Sequence, residues 1–107
     1  MKRIGIVGAG FISGAHAAGA RQCGRLEVAG FHSRTRASAE NKVKEFGGRV
    51  YDTLEEMIAD KTVDIIDICA PSHLHEELGM KVLNAGKALL LEKPIAPTRL
   101  LSEIQKV

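Results

Sequence analysis

Three groups of residues in this chain have the types and spacing to do chemistry, and the first is a glycine turn. The stretch IGIVGAGFIS, residues 4 to 13, carries an apolar run into Gly8 and Gly10. In a dinucleotide-binding turn the first glycine permits a tight bend, the second lets the backbone approach a pyrophosphate, and the third lets helix and strand pack closely. Gly8 and Gly10 fill the first two roles. Ser13 fills the third, which asks only for a small side chain, and its hydroxyl can donate to a phosphate. The turn opens a helix, SGAHAAGARQCG, whose first half is almost all small residues, so its N-terminus can face an anion. Gly8, Gly10, Phe11 and Ile12 are the expected cofactor contacts of this turn. A packing turn in another α/β protein would use the same glycines, so the decision rests on the residues downstream.

The second group is FHSRTR, residues 31 to 36, at the end of the second apolar run. A fold that prefers NAD places an Asp or Glu there, roughly 20 residues beyond the glycines, to bind the ribose hydroxyls and repel a 2′-phosphate. This chain has Ser33 and Arg34 instead. Ser33 can donate to a phosphate oxygen, Arg34 can pair with it bidentately or stack on adenine, and Arg36 adds positive potential. NADP is the cofactor this predicts, with NAD possible; the alternative is a solvated basic loop. The third group sits past two later apolar runs. Ala70, Pro71 and Ser72 follow VDIIDIC, and Glu92, Lys93 and Pro94 follow ALLL. Ligands of open α/β sheets bind outside the carboxyl ends of the strands, so these residues are expected to converge on one site. Lys93 can stabilise a developing alkoxide or move a proton if desolvation lowers its pKa, and Glu92 can hold the cofactor ribose or amide. A solvated surface pair is the plainer reading of Glu-Lys, disfavoured by the proline and the strand-end position.

No metal site is expected. His73 and His75 are two residues apart with no matching third ligand, and read as a surface residue and a residue packed beside the cofactor. His16 reads as a hydrogen-bonded structural residue. Cys23 and Cys69 form no CxxC or Cys/His grouping and read as small hydrophobes. Asp67, polar within an apolar run, reads as a satisfied buried acid or a strand-end contact.

The elements that must position these residues alternate regularly. Residues 3 to 8, 27 to 32, 63 to 69 and 88 to 91 are short apolar runs, as expected of strands covered on both faces, with a weaker strand at 49 to 51. Between them, Ala39, Val43 and Phe46 share one face of a helix over about 36 to 46, with Gly47 placed for a left-handed cap. Thr53 and Glu56 have capping-box spacing, which marks a helix start near 53. Leu74, Leu78 and Val82 recur every four residues in a helix over 72 to 85 closed by Gly86, in which Gly79 costs about 1 kcal/mol relative to Ala. Alternating strands and right-handed crossover helices give a doubly wound parallel sheet in three αβα layers. PTRLLSEIQKV opens a further amphipathic helix with Leu100, Leu101 and Ile104 and then the chain stops, so a single domain, 1 to 107, cut from a longer parent is expected.

Bulk properties narrow the class. The 107 residues are 45% hydrophobic and 26% charged without Trp, a globular composition sized for one domain. Fifteen basic and 13 acidic residues are scattered, with a net charge of +2 and no dense basic block, which argues against nucleic acid as a partner. No apolar run approaches the roughly 18 residues that span a bilayer, and MKRIGIVGAG reaches glycines before a signal-peptide core is complete, so a cytoplasmic protein without a membrane partner is expected.

With APSHLH at 70 to 75, NAGKALLLEKP at 84 to 94 and His16 behind the glycine turn, the sequence resembles, over its whole length, the N-terminal domain of the Gfo/Idh/MocA oxidoreductase family. The resemblance implies a Rossmann domain of an NAD(P)-dependent dehydrogenase that moves hydride to or from a sugar, inositol or related polyol. It implies a cofactor site including Ser33, Ala70, Pro71, Ser72, His75, Glu92 and Lys93, with Lys93 catalytic and Pro94 in a cis peptide that directs it. It also implies a second domain, outside these residues, that forms most of the substrate pocket, supplies a proton-transferring histidine and aspartate and makes a homo-oligomer. Residues 1 to 107 alone are then expected to bind cofactor without turnover. The principal rival is an NAD(P)-binding sensor that never transfers hydride, since fold does not determine function. A methyltransferase-type fold would want an acid after the second strand and has no use for Glu92-Lys93-Pro94.

Overall fold

A computed structural model describes residues 1–8, 10–69 and 75–91. Among these described residues five parallel strands alternate with four helices: β1 (Lys2–Val7), α1 (Phe11–Cys23), β2 (Leu26–His32), α2 (Arg36–Phe46), β3 (Arg49–Val50), α3 (Leu54–Ala59), β4 (Ile65–Ile68), α4 (His75–Asn84) and β5 (Ala88–Leu91). The sheet order is β3-β2-β1-β4-β5, so the winding reverses between β1 and β4. That reversal opens a crevice at the carboxyl ends of the two central strands.

Alternation, interrupted in β2 by an irregularity where the partners step from Ile4 and Val28 to Gly5 and Gly30, assigns side chains to a layer. Ile4 and Ile6 of β1, Val28 and Phe31 of β2 and Ile65 of β4 join Ala17 and Ala20 of α1 and Ala39 of α2 in one apolar cluster. Val7, Ala29, Ile66 and Ile68 join Leu54 and Met57 of α3 and Val82 of α4 in the other. The three αβα layers follow. β3 can lie close to β2 because residue 30 is glycine; a Cβ there would collide with the Arg49 carbonyl.

Local signals explain most element ends. The Thr53 hydroxyl accepts from the Glu56 amide at 3.0 Å, as the capping spacing predicts. α2 spans the expected residues, and the Gly47 amide donates to the Val43 carbonyl at 2.8 Å. Gly47 has a positive φ of 90° but ψ of −173°, so it does not adopt the left-handed helical cap its position suggested. β4 begins at Ile65 rather than 63, yet Asp64 already meets β1: its amide donates to the Arg3 carbonyl at 2.9 Å and its carboxylate accepts from the Arg3 amide at 2.9 Å. The expected start of α4 at 72 and the helix containing Leu100, Leu101 and Ile104 lie outside the described residues.

At the amino end of the sheet, buried Tyr51 donates its hydroxyl to Asp60 Oδ2 at 2.6 Å, and Asp60 Oδ1 accepts from the Thr62 amide at 2.9 Å. The Tyr51 hydroxyl, then the Thr62 side chain, holds the Asp60 carboxyl at about 2, below its ordinary 3.8. Burial, reinforced by Asp60, pushes Tyr51 up to about 12. A carboxylate whose pKa is lower folded than unfolded stabilises the fold above its unfolded pKa and loses that contribution as pH falls toward the folded value. Tyr51→Phe is expected to lower unfolding free energy by about 1 to 2 kcal/mol near pH 6. The difference from the unsubstituted protein should shrink as pH falls from about 4 toward about 2, which denaturant unfolding at several pH values measures. A constant difference across that range would remove Asp60 ionisation from the explanation.

Candidate nucleotide site at the carboxyl edge of the sheet

The ends of β2, β1 and β4 lie side by side. Val7 pairs with His32 on one side and Ile68 on the other, and Ile68 pairs with Leu91. The next residues are therefore brought together: the Gly8 amide donates to the His32 carbonyl at 2.7 Å and the Cys69 amide to the Val7 carbonyl at 2.8 Å. Gly8 has φ of +112°, which only glycine adopts without strain, and a Cβ there would stand 3.1 Å from the Cys69 carbonyl oxygen. The bend and the close passage of β1 beside β4 both require glycine at this position.

Gly10 is the N-cap of α1 and offers no side-chain cap. Its carbonyl accepts from the Ser13 hydroxyl at 2.7 Å and from the Gly14 amide at 3.3 Å. Among the described residues a Cβ on Gly10 would meet nothing within 4 Å, and the first turn of α1 carries no acidic residue. Open space over an uncapped helix N-terminus without a competing carboxylate suits an anionic group such as a pyrophosphate. Ile12, 42% exposed, leaves apolar surface on the same turn. Ser13 is fully buried and its hydroxyl is turned to Gly10, so it does the packing work of the third glycine, and its expected donation to a phosphate is replaced by that internal bond.

Beside this turn, Ser33 is half-buried and donates its hydroxyl to the Thr35 carbonyl at 2.5 Å. Arg34 is exposed and has no hydrogen bond or ion pair among the described residues. Arg36 is committed elsewhere: it bonds Asp52 and lies 3.7 Å from Glu40, so those two carboxylates offset the positive potential expected of it.

Behind the turn is a grouping that separate reading of its members did not assemble. The His16 Nδ1 bonds Asp67 Oδ2, and Cys69 Sγ lies 3.4 Å from the same nitrogen. Asp67 is fully buried and the His16 side chain is 23% exposed. With the carboxylate accepting, Nδ1 carries the proton. The signal was present: Ile65, Asp67 and Cys69 alternate onto the face that meets α1, and Ser13, His16, Ala17 and Ala20 form the helical stripe that meets it. The three donor atoms lie within 4.8 Å of one another, a set chemically suited to a zinc-class cation, but Nδ1 and Oδ2 bond each other here.

Phe11 and His75 are described by their backbone, each as the first residue of its helix. Ala70, Pro71, Ser72, His73, Glu92, Lys93 and Pro94 lie outside the described residues. A shallow depression of about 440 Å³, lined by Arg21, Leu26, Val28 and Phe46 among others, sits at the start of β2, the end of the sheet opposite the glycine turn. Parallel sheets do not place their ligand sites there. Among the described residues no helix is long and apolar enough to cross a membrane.

An open parallel sheet with a glycine turn and an uncapped helix at its switch point defines a dinucleotide-binding α/β domain of the Rossmann kind. The chain belongs to the Gfo/Idh/MocA oxidoreductase family: the family profile described as "Oxidoreductase family, NAD-binding Rossmann fold" matches residues 2–107. Glucose-6-phosphate 3-dehydrogenase of Bacillus subtilis is 36% identical over 96 residues, which are 90% of this chain and 27% of the relative. The crystal structure of GenD2 from gentamicin A biosynthesis in complex with NAD superposes with a TM-score of 0.92 at 28% identity, covering 98% of this chain and 32% of that one. Biliverdin reductase from Synechocystis sp. PCC 6803, in complex with biliverdin and NADP+, superposes with a TM-score of 0.88 at 28% identity, covering 97% and 34%. The chain thus spans about a third or less of the length of these proteins.

Proposed function

We propose that this chain is the cofactor-binding part of an NADP-preferring dehydrogenase that moves hydride to or from a sugar, inositol or related polyol. Family membership and the sugar phosphate named for the Bacillus subtilis relative support the reaction class. The observation that carries the cofactor choice is the end of β2, where Ser33 and Arg34 stand beside the Gly8 turn without an acid. The fit to a dinucleotide rests on the open space over Gly10 at the helix N-terminus.

When bound, the nicotinamide takes or supplies the hydride. The chain's own residues do the rest. The N-terminal amides of α1 hold the pyrophosphate, and the Gly8 and Gly10 backbone lets it approach. Phe11, Ile12, Ala70, Pro71, Ser72 and His75 are the further contacts this reading assigns to the dinucleotide, with Glu92 as the acceptor for its ribose or carboxamide. Lys93 takes the hydroxyl proton as the alcohol C–H bond breaks, or returns it in the reverse direction. Substrate positioning and assembly into a homo-oligomer belong to a second domain of the parent.

Titration with both reduced cofactors, followed by nicotinamide fluorescence or calorimetry, tests the assignment. NADPH is expected to bind more tightly than NADH by about 1.5 to 3 kcal/mol, the worth of one charged hydrogen-bonded contact. Arg34→Ala should abolish most of that difference and Ser33→Asp should reverse it. Equal affinities in the unsubstituted protein, or a preference that survives Arg34→Ala, would overturn it.

A further inference from the structure

The His16–Asp67 pair joins the two elements that border the crevice. Asp67 is the penultimate residue of β4, two residues before Cys69; His16 is in the second turn of α1, one helical turn past the buried Ser13. Cys69 in turn crowds Gly8 from the other side, at 3.1 Å from where a Cβ would stand. The glycine turn, the start of α1 and the exit of β4 therefore meet at one place, and the only charged side chain fully buried among the described residues lies there. Its burial is weak evidence for a stabilising role. A buried carboxylate is costly to desolvate, and replacing a buried ion pair by apolar residues of similar volume is commonly neutral or stabilising. The neighbouring residues of this layer, Ile65 and Ala17, show that apolar side chains suit it.

We infer that His16 and Asp67 are positioning residues for the dinucleotide crevice. A directional hydrogen bond sets the distance between α1 and the end of β4, where apolar packing would tolerate a range of distances. The pair acts through the backbone of the glycine turn and of Cys69, and affinity for the dinucleotide depends on its bond more than stability does. This rests on the reading that the crevice takes the dinucleotide.

The test measures NADPH dissociation constants and thermal midpoints on the same preparations of the protein. His16→Leu leaves Asp67 buried without its imidazole and is expected to lower both midpoint and affinity. His16→Leu with Asp67→Val removes both polar groups; the midpoint should exceed that of the single variant while affinity stays at least about tenfold weaker than the original. A double variant with the original affinity would make the pair merely structural and overturn the inference. A comparison independent of that variant's folding uses two amides. His16→Asn keeps a donor where Nδ1 stands and should bind NADPH within about threefold of the original, whereas His16→Gln, whose nitrogen lies one bond further out, should bind at least about tenfold more weakly at a similar midpoint. Equal affinities of the two would overturn the inference. Failure of the unsubstituted protein to bind either reduced cofactor would overturn the reading of the crevice together with it, an outcome distinct from unchanged binding in the variants.

Discussion

Gly8→Val is expected to weaken dinucleotide binding by at least about a hundredfold and to lower stability by about 2 to 4 kcal/mol. The backbone φ of +112° lies where a β-branched residue is strained, at a cost of about 1 to 3 kcal/mol. The added Cβ also meets the Cys69 carbonyl oxygen at 3.1 Å and the Cys69 carbonyl carbon at 3.2 Å, so β1 and β4 must part at the mouth of the crevice. Gly10→Ala provides the contrast. Gly10 has φ of −89° and ψ of −166°, which alanine adopts freely, and its Cβ would meet nothing within 4 Å among the described residues. The thermal midpoint should hold while NADPH affinity falls, because the methyl group occupies the space a pyrophosphate needs. Calorimetric titration beside thermal unfolding separates the two effects. Equal losses of stability in both variants would deny the different roles assigned to the two glycines.

Lys93→Ala in the parent enzyme is expected to lower kcat by about 10² to 10⁴-fold, the range for removing a positioned proton-transfer group. Cofactor affinity should change little, because the proposed site holds the pyrophosphate at Gly8 and Gly10 and the 2′-phosphate at Ser33 and Arg34. Lys93→Arg should not rescue the rate, since guanidinium stays protonated throughout the accessible pH range. Steady-state kinetics with the parent's substrate make the comparison. A rise in KM with kcat unchanged would place Lys93 outside the chemistry.

Much of the fold was legible because its signals are local. Thr53 and Glu56 show the start of α3 within four residues, and the spacing of Ala39, Val43 and Phe46 shows the buried face of α2. Gly8 and Gly10 identify the turn because only their position between an apolar strand and a small-residue helix explains two glycines there. What was not legible depends on contacts across long stretches of chain. His16 and Asp67 are 51 residues apart, and their bond appears only once β4 alternation and the α1 stripe are superposed. Arg36 reads as a free cation until α2 and the loop after β3 bring Asp52 to it. Asp64 reads as part of a strand, and its backbone does pair with Arg3 and Ala88; that its carboxylate also accepts from the Arg3 amide is not visible from nearby sequence. Ser13 reads as a possible phosphate donor until the turn of α1 places its hydroxyl on the Gly10 carbonyl.

The most direct measurement is an amide nuclear magnetic resonance titration with NADPH, since it reports where on the sheet the dinucleotide settles. Saturable shifts are expected at Gly8, Gly10 to Ser13 and Ser33 to Thr35, at the carboxyl edge of β1 and β2, with the start of β2 undisturbed. Shifts confined to Gly24 to Val28 and Phe46, around the depression at the opposite end of the sheet, or none at millimolar NADPH, would contradict it.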